Sequence, residues 1–162
     1  MQGRPTGTVL VVTHRTRVAF NAEMNVRLCP DEFLEIEPGR VTLGANMPQR
    51  MRVWRGQVLM AVVGSAHRVL KNGLRNRVLE LSPLKVVKID DAGEARGEPF
   101  ALPVEEAARD LRLTHALCYY SSQARTIHGP LRLAQTDHPH FTLRHLIAGL
   151  GRAPDGSEVE VE

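Results

Sequence analysis

The stretch Ala116-Leu117-Cys118-Tyr119-Tyr120-Ser121-Ser122-Gln123-Ala124-Arg125-Thr126-Ile127 carries the densest chemistry in the sequence. An apolar run gives way abruptly to small hydroxyls, an amide and an arginine. At the C-terminal end of a parallel strand, such groups form the edge where α/β sheets bind phosphates and other ligands. A second stretch, Leu146-Ile147-Ala148-Gly149-Leu150-Gly151-Arg152-Ala153, is an apolar helix that delivers one arginine at its end. A guanidinium is a planar fork of donors matched to phosphate oxygens. Trp54, between Arg52 and Arg55, is either a stacking platform for a base or the core anchor of a small β unit. Tyr119 and Tyr120 point to alternate faces of a strand, so one packs inward and the other is available for stacking.

Other chemistries find less support. His138-Pro139-His140, with His128 and His145, has irregular spacing and only Asp137 nearby, which reads as loop and helix-surface histidines and not as a metal site. Ser121-Ser122 lacks the glycine elbow of a hydrolase nucleophile, so these are hydroxyls at a strand end. Cys29 and Cys118 are too few and too far apart for a thiolate zinc site, and read as free core thiols. The sequence contains no G-x-x-x-x-G-K-[ST] loop, and Gly64-Ser65-Ala66-His67-Arg68 does not approach one. Asp90-Asp91 precedes a polar turn and does not end a strand, so it reads as connector.

These groups need elements to hold them. Thr8–Val12 is a β-branched run of the buried parallel kind, and Thr13 caps a helix predicted over Arg15–Asn25 and ended by Cys29-Pro30. Strand, turn and helix in that order open an α/β unit. Glu37-Pro38-Gly39-Arg40 is a turn signal. Met51–Trp54, Val58–Val63, Arg77–Leu81 and Lys85–Ile89 read as short strands of a small antiparallel barrel or ribbon, with Asn72-Gly73 as a tight turn. A short helix follows over Val104–Arg109, then one strand over Leu111–Tyr120, a loop or short helix from Ser121, and a strand at Leu131–Leu133. Thr142 caps an apolar helix, Leu143–Leu150, that stops at Gly151. The acidic tail, Asp155–Glu162, is expected to fray. The predicted fold is therefore α/β, a mostly parallel sheet over residues 1–45 and 98–162, with a basic β-rich insert at 46–97.

Composition bounds the reading further. The 162 residues, with 43% hydrophobic and 24% charged, suit one ordinary globular domain. The longest apolar runs are Val9–Val12 and Val58–Val63, far short of the ~20 residues of a spanning helix. No apolar signal core follows Met1-Gln2-Gly3-Arg4-Pro5, so a soluble intracellular domain without membrane partners is expected. Arginine supplies 18 of the 21 basic residues. Residues 40–88 carry a balance of +9 and residues 90–162 a balance of −5. A basic half beside an acidic half suggests a surface that faces a polyanion.

With these residues in view, the two chemical stretches resemble motifs V and VI of superfamily 1 DNA helicases, in the RecD-like and viral branch. There a strand runs into a pattern close to T-x-H-K-x-Q-G-x-T, followed by one close to Y-V-A-L-S-R-A. Gln123 and Thr126 match the glutamine and threonine of the first, and Leu150, Arg152 and Ala153 match the second. Tyr120, Ser121 and Ala124 replace the histidine, lysine and glycine of the first motif, and Gly151 the serine of the second. Val9–Asn25, with Thr13-His14-Arg15 and Asn21, is similar to the strand and helix that open the second RecA-like motor domain, and the basic β-rich middle to the small barrel inserted there.

The resemblance implies roles. Arg152 would be the arginine finger on the γ-phosphate of ATP, Arg15 a second phosphate-facing candidate or a solvated first-turn residue, and Gln123, Ser122 and Thr126 the link from nucleotide to the DNA backbone. Tyr120, Trp54, Arg52 and Arg55 would be further nucleic-acid contacts. It also implies ATP and Mg2+ as cofactors, but only together with a first RecA-like domain, in cis or in trans, that brings the phosphate loop. The polynucleotide would be DNA, single-stranded or forked, with RNA as the other choice. The chain then reads as half a motor, inactive alone: a fragment, one partner of a split protein, or a relic. The other readings are a non-catalytic nucleic-acid-binding module and an unrelated structural protein.

Overall fold

The computed structural model describes residues 7–39, 47–63 and 69–162. Arg40 of the predicted turn, the 45/46 boundary and the Gly64–Arg68 stretch lie outside them. The chain divides into two compact units, Met1–Phe20 with His115–Glu162, and Asn21–Thr114. The unit that contains the β-rich middle thus extends beyond the expected residues 46–97 in both directions.

The first unit is a four-stranded parallel sheet. Its strands are β1 (Thr8–Val11), β9 (Ala116–Cys118), β10 (Leu131–Leu133) and β11 (Val159–Val161), in the order β11-β10-β1-β9. β1 is buried because it carries apolar residues on both faces of the sheet. Val9 and Val11 pack with Ala116, Ala134 and Phe20 on one face. Leu10, in register with Leu133, belongs to the other. Phe20 comes from α1 (His14–Leu28), whose first turn is capped as expected: Thr13 Oγ1 accepts from the Thr16 amide at 3.2 Å. α3 (Leu143–Leu150) lies on the opposite face, capped by Thr142 and ended at Gly151.

The predicted strand over Leu111–Tyr120 is two strands. β8 (Leu111–Leu113) pairs antiparallel with β4 (Val58–Ala61) in the second unit, and β9 pairs parallel with β1 in the first. The break falls at Thr114-His115, where the Thr114 hydroxyl donates to the Val58 carbonyl at 2.8 Å and the His115 carbonyl accepts from the Val9 amide at 3.0 Å. Each neighbour therefore answers to a different sheet. Tyr119–Ser122 then form a 3-10 turn. The tail is ordered. Asp155 caps a short turn by accepting from the Ser157 amide at 2.9 Å, and Val159-Glu160-Val161 adds a strand beside β10. Its valine–glutamate alternation has the period of a strand, which outweighs its charge.

The second unit is β-rich, as expected. β2 (Leu34–Ile36) pairs antiparallel with β3 (Met51–Val53). A five-stranded antiparallel sheet has the order β7-β6-β5-β4-β8, with β5 (Arg75–Leu81), β6 (Leu84–Ile89) and β7 (Phe100–Ala101). Gly73, in the turn before β5, has φ 79°, the left-handed conformation that the Asn-Gly pair predicts. The core gathers Ile36, Met51, Val53, Leu59, Val78, Val86, Leu111 and Leu113 with Ala107 and Ala108 of α2 (Val104–Asp110). Each large apolar side chain buried there contributes about 1.5–3 kcal/mol.

One side chain finishes the β2–β3 ribbon. Asn25, from the second half of α1, accepts from the Arg52 amide at 2.7 Å and donates to the Arg52 carbonyl at 2.8 Å. Its carboxamide imitates a neighbouring strand. Asn25→Ala leaves both backbone groups without that partner, and the chain should lose about 2 kcal/mol in urea denaturation; a change below about 0.5 kcal/mol would show that water replaces the amide.

Candidate functional site

At the C-terminal end of β9 the chain turns sharply. Ser122 Oγ donates to the Tyr119 carbonyl at 2.6 Å and closes the 3-10 turn. Tyr119 is 2% exposed and its hydroxyl donates to the Ala134 carbonyl at 3.1 Å, while Tyr120 is 71% exposed. The two tyrosines thus divide between core and surface as the strand period predicts. Burial holds the Tyr119 phenol neutral, its pKa pushed up to about 12. Gln123 follows the turn on the surface, and Ala124 adopts φ 58°. A left-handed alanine costs roughly 1–2 kcal/mol, and this is the position where the resembled motif has glycine.

Arg152 meets this turn. Its Nε donates to the Ala148 carbonyl at 2.9 Å and its Nη1 to the Ser122 carbonyl at 3.5 Å, and its own carbonyl accepts from the Ile127 amide at 2.8 Å. Among the described residues Nη2 makes no hydrogen bond. The structure therefore brings Arg152 to the residue next to Gln123. Ser122 is fully buried, so it offers a carbonyl to Arg152 and no hydroxyl to the surface. Thr126 is exposed nearby in sequence.

α3 can reach this turn because position 149 is glycine. A Cβ there would stand 2.7 Å from Leu133 Cδ2 and 3.1 Å from Tyr119 Cε1. At the other end of the helix, Thr142 and His145 form a reciprocal capping box, with His145 Nδ1 3.1 Å from the Thr142 amide nitrogen. Neither device stands out in sequence, because capping boxes usually carry glutamate or glutamine at that place.

Around the start of α1, Arg15 is exposed. Gln135, with φ 61°, binds the end of β1 to the helix: its Oε1 accepts from the Val12 amide at 2.9 Å and its Nε2 donates to Thr16 Oγ1 at 3.0 Å. Arg17 is 2% exposed, with Nε and Nη2 unpartnered among the described residues. Cys118 Sγ lies 3.5 Å from His14 Nδ1. Burial lowers the Arg17 guanidinium and raises the Cys118 thiol; burial and then the Arg17 charge lower the His14 imidazole. The arrangement keeps Cys118 a protonated thiol and a core residue. Cys29 is only partly buried, contrary to expectation.

In the second unit, Arg52, Trp54 and Arg55 stand on and beside β3, and the arginines there are not bare cations. Arg50 pairs with Glu35 at 2.9 Å and with Glu37 at 2.7 Å, Arg52 with Glu35 at 3.8 Å, and Arg55 with Glu32 at 3.6 Å. Arg52 also covers the Phe33 ring at 5.0 Å. Arg75 pairs with Asp91 and Lys85 with Glu80. Four of these five acids, Glu32, Glu35, Glu37 and Asp91, lie just outside residues 40–88, so part of the apparent excess of +9 is closed in space. Trp54 is half-buried in the turn after β3. Among the described residues no group of three histidine, cysteine or acidic side chains can hold a metal, and no helix is long and apolar enough to cross a membrane.

No known family profile matches this chain, and no curated protein matches it in sequence. Solved structures do match in fold. The chain aligns over 98% of its length, at 16% identity and TM-score 0.66, with 40% of the chain in a structure on DNA unwinding at forked double-stranded DNA by two coordinating Pif1 helicases. It aligns over 99%, at 13% identity and TM-score 0.63, with 46% of the Pif1 helicase from Candida albicans. A Bacteroides Pif1 helicase in complex with ADP-AlF3 and single-stranded DNA matches over 99%, at 14% identity and TM-score 0.57, for 41% of its chain. The chain thus shares the fold of part of these Pif1 helicases, an α/β architecture with a parallel sheet and a β-rich unit, as the resemblance implied. The chain spans less than half the length of these Pif1 helicases.

Two outcomes follow from the turn. Ala124→Gly relieves the left-handed strain, partly offset by a more flexible unfolded chain, and should stabilise the protein by about 0.5–1 kcal/mol in thermal melts; a lower melting temperature would mean that Ala124 is held there without strain. The unfolded chain releases the Tyr119 proton near pH 10, before the folded chain does near 12, so stability falls as pH rises through that window. Melting temperatures above pH 10 should drop more steeply for the native chain than for Tyr119→Phe, and parallel slopes would contradict the burial effect.

Proposed function

We propose that this chain is the second motor domain of an ATP-dependent DNA helicase of superfamily 1, with the unit of Met1–Phe20 and His115–Glu162 as the motor half and Asn21–Thr114 as its β-rich insert. The observation that carries the reading is the contact of Arg152 with the Ser122 carbonyl, one residue before Gln123, in a fold shared with helicases. The arginine of one resembled motif thereby touches the residue that precedes the glutamine of the other.

The residues suit half of a nucleotide site. Nε and Nη1 of Arg152 are held by backbone carbonyls, so the guanidinium is oriented before any ligand arrives, and Nη2 is left to meet a phosphate oxygen. ATP with Mg2+ supplies the phosphoryl transfer that drives the motor. The phosphate loop and the metal ligands, absent from this sequence, come from a first RecA-like domain in cis or in trans. Arg15, exposed in the first turn of α1, is the second cation for the same anion. Gln123 and Thr126 reach the sugar–phosphate backbone and report the nucleotide state to it. Tyr120 stacks a base, without reading sequence. Ser122 serves through its carbonyl, as the seat of Arg152. The matched Pif1 complex with ADP-AlF3 and single-stranded DNA holds both kinds of ligand, which supports this division of labour.

The test joins this chain to a Pif1-type first motor domain. Arg152→Ala should lower DNA-stimulated ATP turnover by about 10³-fold while the affinity for a single strand is kept, and the chain alone should turn over no ATP. Turnover retained within a few-fold would remove the finger role from Arg152.

A further inference from the structure

His145 occupies an unusual position. It is the third residue of α3, 8% exposed, and its Nδ1 accepts from the Thr142 backbone N–H at 3.1 Å, with the Thr142 hydroxyl 2.9 Å away. An amide N–H can only donate, so Nδ1 must accept and the imidazole must be neutral with its proton on Nε2. The ring is also the hub of an aromatic cluster. Its centroid lies 5.4 Å from that of Tyr119, 5.5 Å from Tyr120 and 5.7 Å from Phe141. His145 therefore ties two elements together, the N-terminus of α3 and the Tyr119–Ser122 turn that receives Arg152.

Protonation reverses the chemistry. A proton taken from solvent onto Nδ1 converts the acceptor into a donor, so the bond from the Thr142 amide breaks. It also sets a full positive charge in the first turn of a helix, where four backbone N–H groups already point and a cation is disfavoured. The groups that face the ring are the Tyr119 and Tyr120 phenols from the turn and Phe141 and Thr142 from the preceding loop. On its own helix the neighbouring charge is the Arg144 guanidinium, which adds to the repulsion. Among the described residues no carboxylate pairs with the imidazole to compensate. The Thr142 hydroxyl oxygen, 2.9 Å from Nδ1, can accept the new N–H, and the aromatic faces add to this, but neither restores an acceptor to the Thr142 amide.

The geometry points to His145 as a proton-operated latch: neutral, it clamps the start of α3 to the Tyr119–Ser122 turn; protonated, it releases the helix N-terminus and loosens the seat of Arg152. The latch concerns this chain alone. Its consequence for ATP turnover rests on the proposed motor reading, through Arg152 at the far end of the same helix. His145 is in that sense a positioning residue, for it touches neither nucleotide nor strand in the proposed site.

The experiment needs neither ligand nor partner. Hydrogen exchange and imidazole nitrogen resonances are followed on the whole chain from about pH 8 to about pH 5, the range in which imidazoles take up protons. Protection is corrected for the intrinsic pH dependence of exchange. Amide protection at Thr142, whose N–H loses its acceptor, should fall by about fivefold or more, the loss of one cap, with the same midpoint as the Nδ1 resonance of His145. In His145→Gln, which keeps a capping acceptor that cannot titrate, protection should stay flat with pH. Protection that stays flat in the native chain while His145 Nδ1 protonates would overturn the latch, and so would an equal loss in His145→Gln. If the variant does not fold, the coincidence of midpoints in the native chain decides alone. Failure of the motor reading would leave this result untouched.

Discussion

The absence of a side chain at position 149 is the constraint on which the first unit depends. α3 approaches β10 and Tyr119 so closely that a single methyl would meet Leu133 at 2.7 Å. That approach brings the last turn of the helix level with the Tyr119–Ser122 turn, and with it the guanidinium of Arg152 onto the Ser122 carbonyl. The buried Tyr119 ring is the floor for both. Packing of a helix on a parallel sheet thus becomes the placement of one charge.

The two units divide the work by chemistry. The parallel sheet, with hydroxyls and amides at its strand ends, has the architecture in which nucleotides are bound across α/β proteins. The antiparallel unit is a sealed apolar core under a surface of paired charges, among them the three arginines on and beside β3. Exposed pairs of this kind contribute about 0–1 kcal/mol each, but they cancel the field that would draw a polyanion. This reduces the charge on which a nucleic-acid module built on the basic middle would rely.

Local pattern made much of this legible in advance. The β-branched run at β1, the caps Thr13 and Thr142, the stop at Gly151 and the Asn72-Gly73 turn are decided within a few residues, and the structure has them where expected. The resemblance to two motifs set Arg152 beside the glutamine-bearing strand end, and the structure brings Arg152 to the Ser122 carbonyl, one residue before Gln123. What was not legible depends on distant partners. Leu111–Tyr120 has the period of one strand, but its halves pair with β4 and β1. A charge count along the chain could not see that Glu32, Glu35 and Glu37 fold back on Arg50, Arg52 and Arg55. Ser122 looked like a surface hydroxyl because nothing local announces that the 3-10 turn consumes it. His145 read as a surface histidine for the same reason.

The most direct measurement is a crystal structure of this chain joined to a phosphate-loop motor domain and bound to ADP with a fluoroaluminate and a single strand. The account predicts the Arg152 guanidinium within hydrogen-bond distance, about 3 Å, of the fluoroaluminate, with Nε still on the Ala148 carbonyl. A guanidinium turned away from the nucleotide, with another cation in its place, would contradict it.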